Sequence, residues 1–212
     1  MSKGEVTQQE ILAQAAQVFS ERGYAGTSMA DLMRATGLSK GAIYNHFSSK
    51  DDLAVQSFNY AMAQVRERFR VCLQDRRNAI DRLLAVIDLF RSLVDEPLFI
   101  GACPILSLSI EVDDTHPELR DHARAAMSDW RFFITRTIEK GVERGEIRAD
   151  VETETAATIL MATLEGALML TKLYADTRYT HRAADHLRHY LETELRPKNN
   201  EPPRRQERQE YD

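Results

Sequence analysis

Apolar residues recur every three or four positions along almost the whole chain, and no stretch alternates as a half-buried strand does. The pattern predicts an all-α protein. A first helix buries Ile11, Leu12, Ala15, Ala16 and Phe19, with Thr7 and Glu10 as a capping box at its start. Ser28 followed by Asp31 predicts a second helix start, with Met29, Leu32 and Met33 facing inward. Gly37 suits the left-handed residue that closes this helix, and Leu38 plugs the corner after it. Ser39 caps a third helix reaching about Phe47, in which Ile43 and Phe47 lie one turn apart and face inward. Ser49 and Asp52 start a long fourth helix with Phe58, Met62, Val65, Phe69 and Cys72 as its stripe.

Further on, Ile80, Leu83, Leu84, Ile87 and Phe90 mark another helix. Pro97 is expected to open a short apolar one holding Phe99, Ile100, Cys103, Leu106 and Leu108. Residues 113–117 read as a turn and helix start, and Leu119, Ala123, Met127, Trp130, Ile134 and Ile138 face inward from the helix that follows. Gly145 ends it. Two more helices are expected at 153–174 and 180–195, and Pro197 stops the last. Residues 197–212 hold three prolines, many charges and almost no apolar groups, so a disordered tail is expected there.

The segment 27–50 carries the chemistry. It reads as two short helices joined by a glycine turn and followed by a third helix start, which is how a DNA-reading helix-turn-helix is built. With Ile43 and Phe47 inward, Lys40, Gly41, Tyr44 and Asn45 share the outer face. Lys40 can reach a guanine edge or a phosphate, and Asn45 can pair with adenine. Gly41 removes bulk, so the helix can sit deep in a groove. Tyr44 and His46 offer rings and hydrogen bonds to the backbone. Ser28 and Lys50 lie at helix N-termini, where free N–H groups favour phosphate.

The stretch from Ile11 to Lys50 resembles the N-terminal domain of TetR-family transcriptional regulators. The resemblance rests on Ile11-Leu12-x-x-Ala15-Ala16-x-x-Phe19, on Gly23-Tyr24-x-x-Thr27-Ser28, on the run from Gly37 to Phe47, and on Lys50-Asp51-Asp52-Leu53. It implies a three-helix helix-turn-helix DNA-binding domain at 5–65, with the helix-turn-helix at 28–47. A C-terminal helical domain for ligand binding and dimerisation would fill 66–196. The DNA-facing set is then Thr27, Ser28, Ser39, Lys40, Gly41, Tyr44, Asn45, His46 and Lys50. The implied partners are a palindromic double-stranded DNA operator, a small-molecule effector and a second copy of the chain.

Two further surfaces follow. Ala162, Gly166 and Met169 on one late helix, and Ala183, Leu187 and Leu191 on the other, are small or flat apolar groups at helical spacing, expected at the homodimer interface. Gly166 inside a helix costs about 1 kcal/mol relative to alanine, which a close helix approach would explain. Phe90, Phe99, Cys103, Leu106, Trp130, Phe133, Met161, Leu164 and Leu168, with the carboxylate of Glu165, are expected to line the effector pocket.

Composition adjusts this picture. The chain has 212 residues, 43% of them hydrophobic and 29% charged, with net charge −5. Residues 1–50 hold five basic and four acidic side chains, a net +1, so the remainder carries −6. DNA affinity should then come from a few placed contacts, not from a broad basic field. No apolar run looks long enough to span a bilayer and no signal peptide precedes the first helix, so a cytoplasmic protein with no membrane partner is expected. The two cysteines, Cys72 and Cys103, are expected as free thiols.

Cys103 is expected beside a helix start, where the dipole would make its thiol more reactive than that of Cys72. Some TetR-like regulators resemble this chain there and sense electrophiles through such a cysteine, although Ala102 here separates Gly101 from Cys103. His181, Asp185, His186 and His189 match no metal template, and no metal or other cofactor is expected. The competing class is a helical-bundle enzyme using Asp113, His116 and Glu165, which would leave the Lys40 to Asn45 face unexplained. No catalytic role is therefore expected. A repressor is the expected function, with an activator of the same fold as the alternative.

Overall fold

A computed structural model of the chain describes residues 3–99, 103–111 and 116–197. Ile100, most of the expected turn at 113–117 and nearly all of the expected tail lie outside the described residues. Nine α-helices run through the described part: α1 Lys3–Gly26, α2 Met29–Thr36, α3 Lys40–Tyr44, α4 Lys50–Leu73, α5 Ala79–Asp95, α6 Pro104–Glu111, α7 Pro117–Glu143, α8 Thr153–Tyr174 and α9 Arg178–Tyr190. A π-helical turn, Leu191–Leu195, prolongs α9. No strand occurs among the described residues.

The local signals around residues 28–52 work as chemistry predicts. Ser28 and Asp31 form both halves of a capping box at the start of α2. Gly37 closes that helix at φ 70°, and its N–H donates to the Met33 carbonyl. The hydroxyls of Ser39 and Ser49 accept from the N–H groups of Ala42 and Asp52.

Elsewhere the boundaries move. α1 already starts at Lys3, so Thr7 and Glu10 lie inside the helix and do not cap it. α3 ends at Tyr44, before Phe47. The short apolar helix opens at Pro104 and not at Pro97. Proline restricts the residue before it to extended backbone, and Glu96 duly leaves the helical region at φ −130°, ψ 76°. Pro104 can then begin α6, where its missing N–H has no partner to lose.

Three of the apolar clusters account for most of the packing that positions these helices. Ile11, Leu12, Ala15, Leu32, Ile43, Phe47 and Leu53 pack α1 to α4 into a small head. A larger core in the body joins α5, α7, α8 and α9 through residues such as Ile80, Leu83, Ile134, Ile138, Leu160, Leu164 and Leu187. Between them, Phe58 and Met62 of α4 meet Ile105 of α6 and Ala123 and Ala126 of α7. α4 runs unbroken through residue 65 and belongs to both parts.

α8 departs from expectation. It is 22 residues long and its most apolar 18-residue window has mean hydropathy 1.4, which is long and apolar enough to cross a bilayer. Its apolar residues divide, however. One side enters the body core, while Ile159, Met169, Leu173 and Tyr174 stand exposed.

Candidate DNA-reading face and effector cavity

On the head, Ile43 and Phe47 are fully buried, which turns Lys40, Gly41, Tyr44 and Asn45 outward. The Lys40 ammonium lies 5.7 Å from the centre of the Tyr44 ring. A Cβ added at Gly41 would meet nothing within 4 Å, so packing within the chain does not require glycine there. Glycine in a helix costs about 1 kcal/mol relative to alanine, and no close contact among the described residues accounts for it here. Ser39 is exposed and His46 is half-buried, its ring 6.3 Å from that of Phe47.

Other expected DNA contacts are engaged within the chain. Thr27 is only 2% exposed, its hydroxyl donates to the Gly23 carbonyl at 2.6 Å, and its N–H donates to the Tyr24 carbonyl. Thr27 is therefore a structural residue and not a phosphate contact. The Ser28 hydroxyl donates to Asp31 and accepts from its N–H. Asp31 also pairs with Arg22 and Arg34, at 2.9 and 3.1 Å. Ser28 and these arginines hold its carboxyl down at about 2, so it stays charged. The Lys50 ammonium donates to the Tyr24 carbonyl at 2.9 Å and lies 4.3 Å from the centre of that ring.

Tyr24 is where head and body join. Its hydroxyl donates to Asp51, its ring meets His116 edge-on, and its N–H donates to Glu111 at the end of α6 at 2.6 Å. The Ala25 N–H donates to the same carboxylate at 3.2 Å. Gly23 makes this possible. Its φ is 73°, and an added Cβ would lie 1.9 Å from a Glu111 oxygen. Gly23 stands in the sequence motif Gly23-Tyr24-x-x-Thr27-Ser28, but its contact with Glu111 leaves no local pattern, because the two residues lie so far apart.

The other end of α6 borders two adjoining cavities of about 370 and 220 Å³. Both are walled by Val65, Phe69, Phe90, Cys103 and Pro104. Phe99 and Leu168 line the larger, and Trp130, Phe133 and Glu165 line the smaller. Phe90 stacks on Trp130 at 5.2 Å and meets Phe69 edge-on at 6.3 Å. Three expected lining residues are absent from these walls. Leu164 is fully buried in the body core, Met161 packs against that core, and Leu106 borders neither cavity. Val65 and Phe69 of α4, in turn, were read only as core stripe.

Glu165 is 8% exposed, and among the described residues neither carboxylate oxygen has a hydrogen-bond partner. Burial raises its pKa to about 6. The adjoining Cys103 thiol, as a weak donor, pulls the other way, although it does not reach full hydrogen-bond geometry to either oxygen. Burial, and then the Glu165 charge, push the Cys103 thiol well above its usual value. This desolvation works against the expectation of a reactive thiolate at the α6 start, opposing the short helix's dipole.

The expected dimer residues also separate. Ala162, Gly166 and Met169 lie on the open side of α8 with Ile159 and Leu173, at alternating spacings of three and four. A Cβ at Gly166 would meet nothing within 4 Å. Leu187 and Leu191 are fully buried in the chain's own core, so they cannot face a partner. Ala183 beside them is half-buried. His181 and Asp185 pair with Asp95 and Arg91 of α5. His116 packs on Tyr24 while Glu165 lines the cavity, and Asp113 lies outside the described residues. The three do not assemble into one described site.

A compact helix-turn-helix head, fused through α4 to an all-helical body with an apolar cavity, defines a one-component DNA-binding regulator. Residues 11–56 match the family model for bacterial regulatory proteins of the tetR family, and residues 79–187 match that for the tetracyclin repressor-like C-terminal domain. A TetR transcriptional regulator from Chloroflexus aurantiacus is 43% identical, covering 93% of this chain and 100% of that one, with TM-score 0.89. A TetR-family regulator from Cytophaga hutchinsonii is 31% identical, covering 93% and 98%, with TM-score 0.84. The HTH-type transcriptional repressor DhaR of Mycobacterium sp. (strain GP1) is 27% identical over 78% of this chain and 82% of its own length. The chain belongs to the TetR family of transcriptional regulators.

Proposed function

We propose that this protein is a cytoplasmic transcriptional repressor that binds a palindromic duplex as a homodimer and leaves it when a small molecule fills the cavity. It acts by binding and catalyses no reaction. The observation that carries this reading is α6. Cys103 and Pro104 at one end wall the cavity, and Glu111 at the other end holds the backbone of Tyr24 and Ala25 in the head. A ligand that prefers a shifted α6 would bias the position of the head, and only that difference in affinity can release DNA. The α8 stripe of Ile159, Ala162, Gly166, Met169 and Leu173 supports pairing of two copies. Twofold pairing would set the two heads about one DNA turn, roughly 34 Å, apart.

Selection of bound duplexes from a random pool tests this. A palindrome with half-sites about one turn apart is expected. Lys40→Ala and Tyr44→Ala should weaken binding to every selected duplex by about tenfold, and Asn45→Ala should change base preference. A pool that yields no enriched sequence, or three variants indistinguishable from the unaltered chain, would overturn the proposal.

A further inference from the structure

The smaller cavity is walled mainly by apolar side chains, Phe69, Phe90, Trp130 and Phe133 among them, and yet holds a carboxylate. Glu165 projects from α8 beside Phe90, Trp130 and Phe133, and both its oxygens lack a partner among the described residues. An isolated charge in such surroundings is strongly unfavourable unless a counter-charge meets it. Among the described residues this wall supplies no unpaired cation, and Lys172, which borders the adjoining cavity, is exposed. Arg66 and Asp129, the other charged groups on this wall, pair with each other at 3.4 Å and are mostly exposed. The Cys103 thiol adjoins Glu165 and, held protonated, is neutral and no counter-charge. Because Glu165 titrates near 6, it is mainly ionised at neutral pH. Phe90 and Trp130, stacked on each other, line this cavity with Phe69 and Phe133, and aromatic rings attract a cation through the ring quadrupole. The Trp130 indole N–H is also buried without a partner among the described residues.

We infer that the cavity takes a lipophilic organic cation: a molecule with a protonated nitrogen that pairs with Glu165 and an apolar body that lies among Val65, Phe69 and Phe90. This rests on the reading of the cavity as the effector site. A neutral molecule of the same shape would leave the carboxylate unpaired. An anion of that shape would meet it as a like charge.

Trp130 is the chain's single tryptophan and lines the cavity, so its fluorescence reports occupancy. The probes are n-octylamine, octan-1-ol and octanoate at pH 7.5, which share a chain and differ in charge. Octylammonium should bind at least tenfold more tightly than octanol, and octanoate should bind more weakly than octanol. In Glu165→Gln the octylammonium advantage should shrink to within about threefold, with octanol binding retained. The selectivity of the unaltered chain tests the same point without any variant. Octanol or octanoate binding as tightly as octylammonium would overturn the inference. So would an advantage that survives Glu165→Gln, or no fluorescence response to any probe. A parallel release assay on the selected duplex separates the two proposals. Cation-selective, Glu165-dependent binding that leaves DNA bound supports this inference and overturns the repressor switch. Release by octanoate in preference to octylammonium supports the switch and overturns this inference.

Discussion

Around Ser28 in the reading head, hydroxyl, carboxylate and guanidinium groups satisfy one another within a few residues: Ser28 with Asp31, and Asp31 with Arg22 and Arg34. Around Glu165 in the body, a carboxylate and an indole N–H end among aromatic rings with no described partner. The same contrast holds for packing. The head buries its apolar residues in one small core, whereas α8 leaves a stripe of apolar groups open. The head's polar groups mostly build its own shape, leaving a narrow outward face for DNA. The body holds back groups that only a ligand or a second chain can complete. Such groups are costly in a lone chain and mark binding surfaces.

The sharpest way to break this comparison is to exchange a residue that completes the body for one left over on it. Leu187 is fully buried in the body core. Leu187→Ala should lower stability by about 3 kcal/mol through lost burial and a residual cavity. Leu173, 69% exposed, is expected to behave in the opposite way. Leu173→Glu should convert dimer to monomer by light scattering, and should cost the separated monomer less than about 0.5 kcal/mol in a denaturant titration. A Leu173→Glu chain that stays a dimer would remove the α8 stripe from the interface.

A second test reads the unpaired charge itself. Burial raises the Glu165 pKa to about 6, against 4.5 for an ordinary glutamate. Between those values the native chain holds a proton that the unfolded chain has lost, so this group makes stability fall as pH rises through that window. Above pH 6 the penalty levels off at about 2 kcal/mol, one pKa unit being about 1.4 kcal/mol. Glu165→Gln does not titrate. Urea unfolding at pH 4.5 and pH 7 should therefore show the variant gaining about 2 kcal/mol relative to the unaltered chain over that interval. Parallel profiles would mean that Glu165 already has a partner and that the contrast between head and body is false.

The two regions were also unequally legible. The head could be read almost residue by residue, because capping boxes, a left-handed glycine and inward pairs one turn apart are local rules, and Ser28, Asp31, Gly37 and Ile43 obey them. Thr27 was misassigned because a sequence does not show that its hydroxyl turns inward to Gly23. In the body the helix at 153–174 could be placed from its period, but not which of its sides would stay open. Leu187 and Leu191 were expected at the dimer face because an apolar helix side looks alike whether it meets its own core or a partner. The grip of Glu111 on Tyr24 joins residues 87 positions apart, beyond the reach of any periodicity.

The finest distinction lies between the two cysteines. Helix position alone ranks Cys103 as the more reactive, but its surroundings act in the opposite direction. Burial raises both thiols. At Cys103 the Glu165 carboxylate raises it further, whereas Arg76 and Arg82 pull Cys72 back down. Since the thiolate is the nucleophile, iodoacetamide at pH 8 should modify Cys72 about tenfold faster than Cys103, read by mass mapping of both sites. Glu165→Gln removes the charge beside Cys103 and should speed its labelling a few-fold while leaving Cys72 unchanged. Octylammonium in the cavity should instead slow Cys103, because it covers the thiol that lines the same wall. Faster labelling of Cys103 than of Cys72 in the unaltered chain would show that the dipole prevails over desolvation after all. It would return Cys103 to consideration as a sensing residue.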